Sequence, residues 1–166
     1  PQDAGKYAAV ATLAKILLAI GSPLMWLALP LAAGKNFMTV FKYCATTALI
    51  CLCIVAVFGI NPRLFISLFM NINAGTYSQL LVLASLSMTL YAVSFISIAS
   101  LLCIDRLKPV LLTSAITLLI AIIGLAILFI TGTVTLHTVL LLQLLLGACL
   151  SGISLVFLYR ASRTAR

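Results

Sequence analysis

Acidic residues are nearly absent from this sequence, and histidine and tryptophan occur only once each. Charged residues make up 7% of the chain and hydrophobic residues 64%, whereas about 25% charged residues is usual for soluble globular domains. This balance excludes a soluble core. The sequence also offers no carboxylate pair, no nucleophile beside a base and no cluster with metal-ligand spacing. We therefore expect no enzyme activity, no catalytic residue, no metal and no cofactor.

Five apolar stretches are long enough to cross a bilayer, for which about 20 residues suffice. They predict an all-α, polytopic transmembrane helical bundle over residues 1–159, followed by a basic cytoplasmic tail at 160–166. Leu64 to Met70 is apolar but too short to cross, and it predicts a short interfacial helix. The five spans are expected at about residues 7–33, 40–60, 79–104, 110–130 and 136–159.

Basic residues give the chain a formal net charge of +8. They lie mostly in short connections between apolar stretches, where topology and lipid headgroups explain them better than nucleic acid does. We expect membrane lipids, and no nucleic acid, as partners. Two basic residues, Lys6 and Arg63, fall on one side of the membrane, and a larger group falls on the other: Lys35, Lys42, Arg106, Lys108, Arg160, Arg163 and Arg166.

This asymmetry predicts that the C-terminus is cytoplasmic and that Pro1 lies outside. No signal-peptide pattern precedes the first span. A chain that starts outside without a signal peptide needs at least one further span upstream, so we expect N-terminal helices of the same protein to be missing from this sequence.

The first span, Tyr7 to Ala33, carries a lysine inside its apolar run and the sequence Gly21-Ser22-Pro23 near its middle, which predicts a break. Helical periodicity places small and polar residues on the face of Lys15, namely Ala8, Ala11, Thr12, Ala19 and Ser22. The opposite face is apolar and consists of Val10, Leu13, Leu17, Ile20 and Leu24. We expect the apolar face to contact lipid and the polar face to contact something else.

Two interpretations of Lys15 remain open. The ammonium group either extends outward to the interface with Lys6, or lies in a hydrated cavity that could receive an anion such as a phosphate. No span contains an acidic residue, so an ion pair within the spans of this chain is excluded. We take Lys15, Thr12 and Ser22 as candidate substrate-binding residues, and Pro23 as a candidate hinge.

Polar residues also follow the third and fifth spans. In the third span they occupy two faces, which indicates a helix surrounded by other helices. In the fifth span, Gln143, Gly147, Ser151 and Ser154 form one stripe. Helix packing is a better explanation for these stripes than substrate contact.

Three segments of the chain together resemble a known family. They are AGKYAAVATLAKILLAIGSPLMWLALP, NPRLFISLFMN and LLVLASLSMTLYAVSFISIASLLCIDRLKPVLL. Their order is similar to that in the C-terminal half of polysaccharide flippases, which belong to the multidrug/oligosaccharidyl-lipid/polysaccharide exporter superfamily. The resemblance covers nearly the whole chain, and its motifs are loose patterns of small residues, proline and glycine.

The resemblance implies a transporter of two similar lobes, each usually of six spans, with this chain supplying the last five spans of the second lobe. Such proteins move lipid-linked oligosaccharide precursors across the inner (plasma) membrane by alternating access. Basic residues in their cavity engage substrate phosphates, a role that only Lys15 could take from inside a span of this chain. The absence of intramembrane Asp or Glu leaves no visible cation-coupling site here.

Two other functions stay open. A drug or cation antiporter of the same superfamily would use the same lobe, although a lysine in the cavity disfavours cationic cargo. A non-transporting membrane scaffold subunit would place Lys15 at the lipid interface and have no cavity between its helices.

Overall fold

The chain is an all-α polytopic helical bundle. The computed structural model describes residues 2–62, 64, 65 and 78–164, and across these ranges it contains helices and no strand. Five helices contain stretches of 24 to 28 residues that are long and apolar enough to cross a membrane. Their bounds are α1 Gln2–Ala33, α2 Phe37–Ile60, α3 Ser78–Cys103, α4 Leu107–Ile130 and α5 Leu136–Thr164. Apart from Leu64 and Phe65, the interfacial helix expected after α2 lies outside the described residues.

Helix α3 occupies the centre of the bundle and packs against α1, α2 and α5. In its most apolar window 56% of the residues are buried, compared with 6% in α4. This confirms the prediction that the third span is surrounded by other helices. Helix α4 lies at the edge and packs mainly on α5, where a side chain at Gly124 would collide with Leu142.

The core lies around α3 and is concentrated towards its two ends. Near the α1–α2 and α3–α4 turns, one cluster joins Ala28 and Ala32 of α1 to Phe37 of α2 and Leu158 of α5. Near the other end, a second cluster joins α1 to α3 and includes Val10, Leu13 and Leu81. A smaller cluster between them contains Leu17, Cys51 and Val55.

The α1–α2 and α3–α4 turns share one geometry. Lys35 and Asp105 have positive φ angles of 59° and 55°. In the first turn the amide of Asn36 donates to the carbonyl of Leu31, and that of Lys35 donates to Ala32. In the second turn, Arg106 donates to Leu101 and Asp105 to Leu102. Both are Schellman motifs, with lysine or aspartate at the left-handed position where glycine is most frequent.

These tight turns start the next helix earlier than the sequence indicated. Asn36 caps α2, since its side chain accepts a hydrogen bond from the amide of Thr39, so α2 begins at Phe37 and not near residue 40. Helix α4 begins at Leu107 and includes Pro109. Proline is tolerated there because amides in the first helical turn have no intrahelical acceptor.

Two further boundaries differ from the predictions. Helix α5 continues to Thr164, so residues 160–164 are helical. Arg163 lies in the last turn, where its positive charge interacts favourably with the negative end of the helix dipole. Helix α1 runs unbroken through Pro23 and Pro30, and the expected break at Gly21-Ser22-Pro23 is therefore wrong for this structure.

Candidate functional site on helix α1

The apolar face of α1 lies inside the bundle. Val10, Leu13 and Leu17 are buried, and they contact residues of α2 and α3 in the core clusters. The expectation that this face contacts lipid is wrong for these residues. An apolar side chain can be covered equally well by lipid or by another helix, and periodicity alone does not distinguish the two.

The polar face of α1 points away from the rest of the bundle. The candidate residues Thr12, Lys15 and Ser22 are all exposed, and so are the small residues Ala8 and Ala19 between and beside them. No described residue of the other four helices covers this face. We call these five residues the α1 stripe.

Trp26 extends the same exposed face, and its place was not foreseen from the sequence. Its side chain is 66% exposed, and it lies four residues after Ser22 and eleven after Lys15. At 3.6 residues per turn this spacing keeps all three on one side of the helix. The signal was present in the sequence, but a tryptophan in a membrane span is more often an interfacial residue.

The polar groups of the α1 stripe have few partners. The Thr12 hydroxyl donates to the Ala8 carbonyl at 2.7 Å, which leaves its oxygen able to accept a further hydrogen bond. Lys15 makes no ion pair or hydrogen bond with any described residue. Asp105 is the acidic residue whose side chain the structure describes, and it follows the C-terminal end of α3, away from Lys15. The ammonium group is therefore available to an anion.

A groove between α1 and α3 borders the stripe. It has a volume of about 270 Å³ and is lined by Leu18, Gly21, Ser22, Met25, Ala92 and Phe95. Ser22 thus belongs both to the stripe and to the groove. Phe95 is 46% exposed, although it lies in the most buried helix of the bundle.

The wall of this groove is formed by a close helix crossing. A β-carbon built at Gly21 would lie 2.9 Å from the β-carbon of Ala92, closer than such atoms approach. Any larger residue would separate α1 from α3. Pro23 follows two residues later, so the helix is held tightly just before the candidate hinge. The hinge itself remains a prediction.

Most serine and threonine hydroxyls of α3 donate within that helix, whereas the Tyr91 hydroxyl donates to the Gln143 carbonyl of α5 at 3.5 Å. Ser94 donates to the Leu90 carbonyl at 2.7 Å, and Ser97 donates to the Val93 carbonyl at 3.0 Å. Thr89 and Ser100 make equivalent bonds to the preceding turn. Ser85 is the exception, since its buried hydroxyl oxygen has no partner. These side chains are enclosed by helices, in agreement with the packing interpretation.

The stripe of the fifth span packs in the same way. Gly147, Ser151 and Ser154 are buried, and a β-carbon at Gly147 would lie 3.1 Å from the β-carbon of Leu90. Among the described residues, no group of three or more His, Cys, Asp or Glu could hold a metal ion. The α1 stripe is one of the polar surfaces that the described helices leave exposed within their spans; Lys42 and Thr46 of α2 and Ser114 of α4 are also exposed.

Comparisons with protein-family models, with curated proteins and with solved structures give no significant match. The resemblance to polysaccharide flippases therefore remains a prediction from the sequence.

Proposed function

We propose that this chain is part of a membrane transporter that moves a lipid-linked oligosaccharide or polysaccharide precursor across the inner (plasma) membrane, with the α1 stripe facing the transport path. The exposed Lys15 is the observation that carries this proposal. The sequence resemblance supports the same class of substrate.

The free-energy cost of placing an ionised lysine in a membrane span indicates whether the α1 stripe faces lipid or water. A lysine at the centre of a span costs about 3 kcal/mol on insertion scales, and more against lipid in isolation. Lys15 has no acidic partner among the described residues. Water or an anionic ligand beside the stripe removes this cost, whereas lipid does not.

Extension of the Lys15 side chain to the membrane interface would also remove the cost of burying its charge. It lies five residues beyond Val10, where the apolar span begins, or about 8 Å along the helix. Extension explains the lysine alone, however, and leaves unexplained why Thr12, Ala19 and Ser22 lie on the same exposed face. A face of small and polar side chains suits contact with water, a headgroup or another helix.

In the proposed mechanism the ammonium of Lys15 and the hydroxyl of Thr12 bind the phosphate of the carrier lipid. Leu18, Met25 and Phe95 line the groove at Ser22 and present apolar surface to the lipid. Further helices of the same protein cover the stripe and enclose the path, and rocking of two lobes, with Pro23 as one flexible point, exposes it alternately to each side. The C-terminus is cytoplasmic in this arrangement, in agreement with the basic residues at that end.

The test measures translocation of a fluorescent lipid-linked oligosaccharide in proteoliposomes that contain the complete protein. Lys15→Ala is expected to lower the rate by at least about ten-fold, which corresponds to an increase of about 1.4 kcal/mol in the activation free energy. Lys15→Arg keeps the charge and is expected to retain most of the rate. Lys42→Ala removes an exposed lysine from α2 and serves as the matched control.

Unchanged transport by Lys15→Ala would remove Lys15 from the mechanism. Loss of transport in Lys42→Ala to the same degree would show a general effect of charge. The exposure of Lys15 also favours a second candidate, a non-transporting scaffold subunit. That candidate predicts no translocation by the wild-type protein and a cross-link from the α1 stripe to a separate protein.

A further inference from the structure

A polar cavity, separate from the groove between α1 and α3, lies near the C-terminal end of α1, beyond the α1 stripe. It has a volume of about 630 Å³ and lies between the α1–α2 turn and the last turns of α5. Lys15 and Lys35 are 20 residues apart in sequence, or about 30 Å along the helix, so the two sites are separate. The lining residues are Lys35, Asn36, Phe37, Met38, Phe41, Tyr159, Ser162 and Arg163.

Lys35 is one of two cationic groups at this cavity, and its backbone is fixed by the Schellman turn. Its φ angle of 59° is unfavourable for a residue with a β-carbon, by about 1 kcal/mol or more. Its ammonium group makes no ion pair with the described residues. Lysine therefore occupies a position where glycine would fit the backbone better.

Arg163 is the second cationic group, and Tyr159 holds it in place. The guanidinium donates to the Tyr159 hydroxyl at 2.7 Å and lies 4.9 Å from the centre of the same ring. The bond to Tyr159 uses one of the five N–H donors of arginine. The others can bind a phosphate in the two-point geometry that guanidinium groups favour.

The rest of the cavity wall combines polar and apolar groups. Asn36 and Ser162 add uncharged polar side chains, and the described residues of the lining include no acidic residue. Phe37, Met38 and Phe41 supply an apolar side, and Met38 is 64% exposed. The apolar spans of α2 and α5 end here, at Phe37 and Arg163. The cavity is therefore at the edge of the membrane-spanning region.

We propose that this cavity binds the phosphodiester headgroup of an anionic phospholipid, with an acyl chain lying along Met38 and Phe41. Charge complementarity selects an anion, because two cationic groups meet no acid in the lining. The position at the ends of two spans selects a lipid over a free anion, since basic pockets between helices at this depth bind lipid headgroups. The proposal does not depend on the transport function.

Native mass spectrometry of the detergent-solubilised chain, titrated with phosphatidylglycerol, tests this site. Wild-type protein is expected to retain one tightly bound phosphatidylglycerol. Lys35→Gly keeps the left-handed backbone, and Arg163→Gln removes the charge while keeping a polar side chain. One charge near the membrane surface contributes about 1 kcal/mol, so each variant is expected to weaken binding about five-fold and the double variant about 25-fold.

Three further measurements make the test selective. Lys108→Gln removes a charge from the neighbouring turn at the same end and is expected to bind phosphatidylglycerol as the wild type does. Lys35→Arg keeps the charge and is expected to bind normally. Phosphatidylcholine, whose headgroup is zwitterionic, is expected to be retained at least about five-fold more weakly, and inorganic phosphate is not expected to displace the bound lipid.

Equal binding of phosphatidylglycerol by the wild type and the double variant would overturn the proposal. So would an equal loss in Lys108→Gln, because that result would show a diffuse effect of net charge. Displacement of the lipid by millimolar inorganic phosphate would show a site for the free anion. Loss of binding in Lys35→Arg would show that the turn, and not the charge, is responsible.

Discussion

Helices α1 and α3 both carry polar residues along a membrane span, but those of α3 are mostly buried and those of the α1 stripe are exposed. Most serine and threonine hydroxyls of α3 are buried and donate to carbonyls of their own helix, as Ser94 and Ser97 do. The α1 stripe is exposed, and its lysine has no partner among the described residues. A polar residue in a span therefore indicates packing when its helix is central, and it marks a candidate binding surface when its helix leaves that face uncovered.

Reagent access gives the largest contrast between the two helices. In a variant without the native cysteines, Ser22→Cys is expected to react with a water-soluble maleimide at least about ten-fold faster than Ser94→Cys, because only a hydrated thiol ionises readily. Leu118→Cys of α4 is exposed but apolar in its surroundings and serves as the control for lipid contact. Equal rates for Ser22→Cys and Leu118→Cys would contradict a hydrated α1 stripe.

The close crossing of α3 and α5 is expected to give the next largest effect. A β-carbon at Gly147 would lie 3.3 Å from the Ser87 carbonyl oxygen, so Gly147→Leu should lower the free energy of unfolding by about 1–3 kcal/mol through overpacking. Gly152 has nothing within 4 Å of its position, and Gly152→Leu is the matched control. Thermal unfolding in detergent measures both. A similar loss in both variants would mean that the crossing is less tight than described.

Removal of buried hydroxyls from α3 should have a smaller effect. Ser97 bonds to its own helix, so Ser97→Ala is expected to lower the free energy of unfolding by about 0.6 kcal/mol, the average for hydrogen bonds within membrane proteins. Transport is expected to be unchanged. A loss of transport without a loss of stability would assign the α3 hydroxyls to the substrate path.

The smallest change in stability is expected at the stripe itself. Lys15 is exposed and has no partner among the residues that the structure describes, so Lys15→Ala should change the free energy of unfolding by no more than about 0.5 kcal/mol. The same thermal measurement applies, with Ala19→Ser as a neighbour that keeps the helix face neutral. A large loss would show that Lys15 holds the bundle together.

The sequence was sufficient to predict five helices, because a long apolar segment in a membrane must satisfy its backbone hydrogen bonds internally and therefore forms a helix. It also predicted the central position of α3 from polar residues on two faces. It failed on which face of α1 is buried, since Val10 and Leu17 suit lipid and protein equally well. The helix starts were displaced because the left-handed residues of the two turns, Lys35 and Asp105, are not glycine, so the sequence does not indicate the left-handed position.

The candidate binding surface was predictable only in part. Lys15, Thr12 and Ser22 could be grouped by helical periodicity, which depends on one helix alone. Phe95 could not be added to them, because its place beside Ser22 follows from the crossing of α1 and α3. That crossing depends on Gly21 and Ala92, which are 71 positions apart in sequence.

The two matching turns have different consequences for assembly during synthesis. Helices α1 and α2 pack against each other, so their hairpin can close as soon as the second helix has entered the membrane. Helices α3 and α4 are joined by the same turn but touch little, because α4 packs mainly on α5. We expect α4 to remain loosely associated with the other helices until α5 has entered the membrane and packs against it.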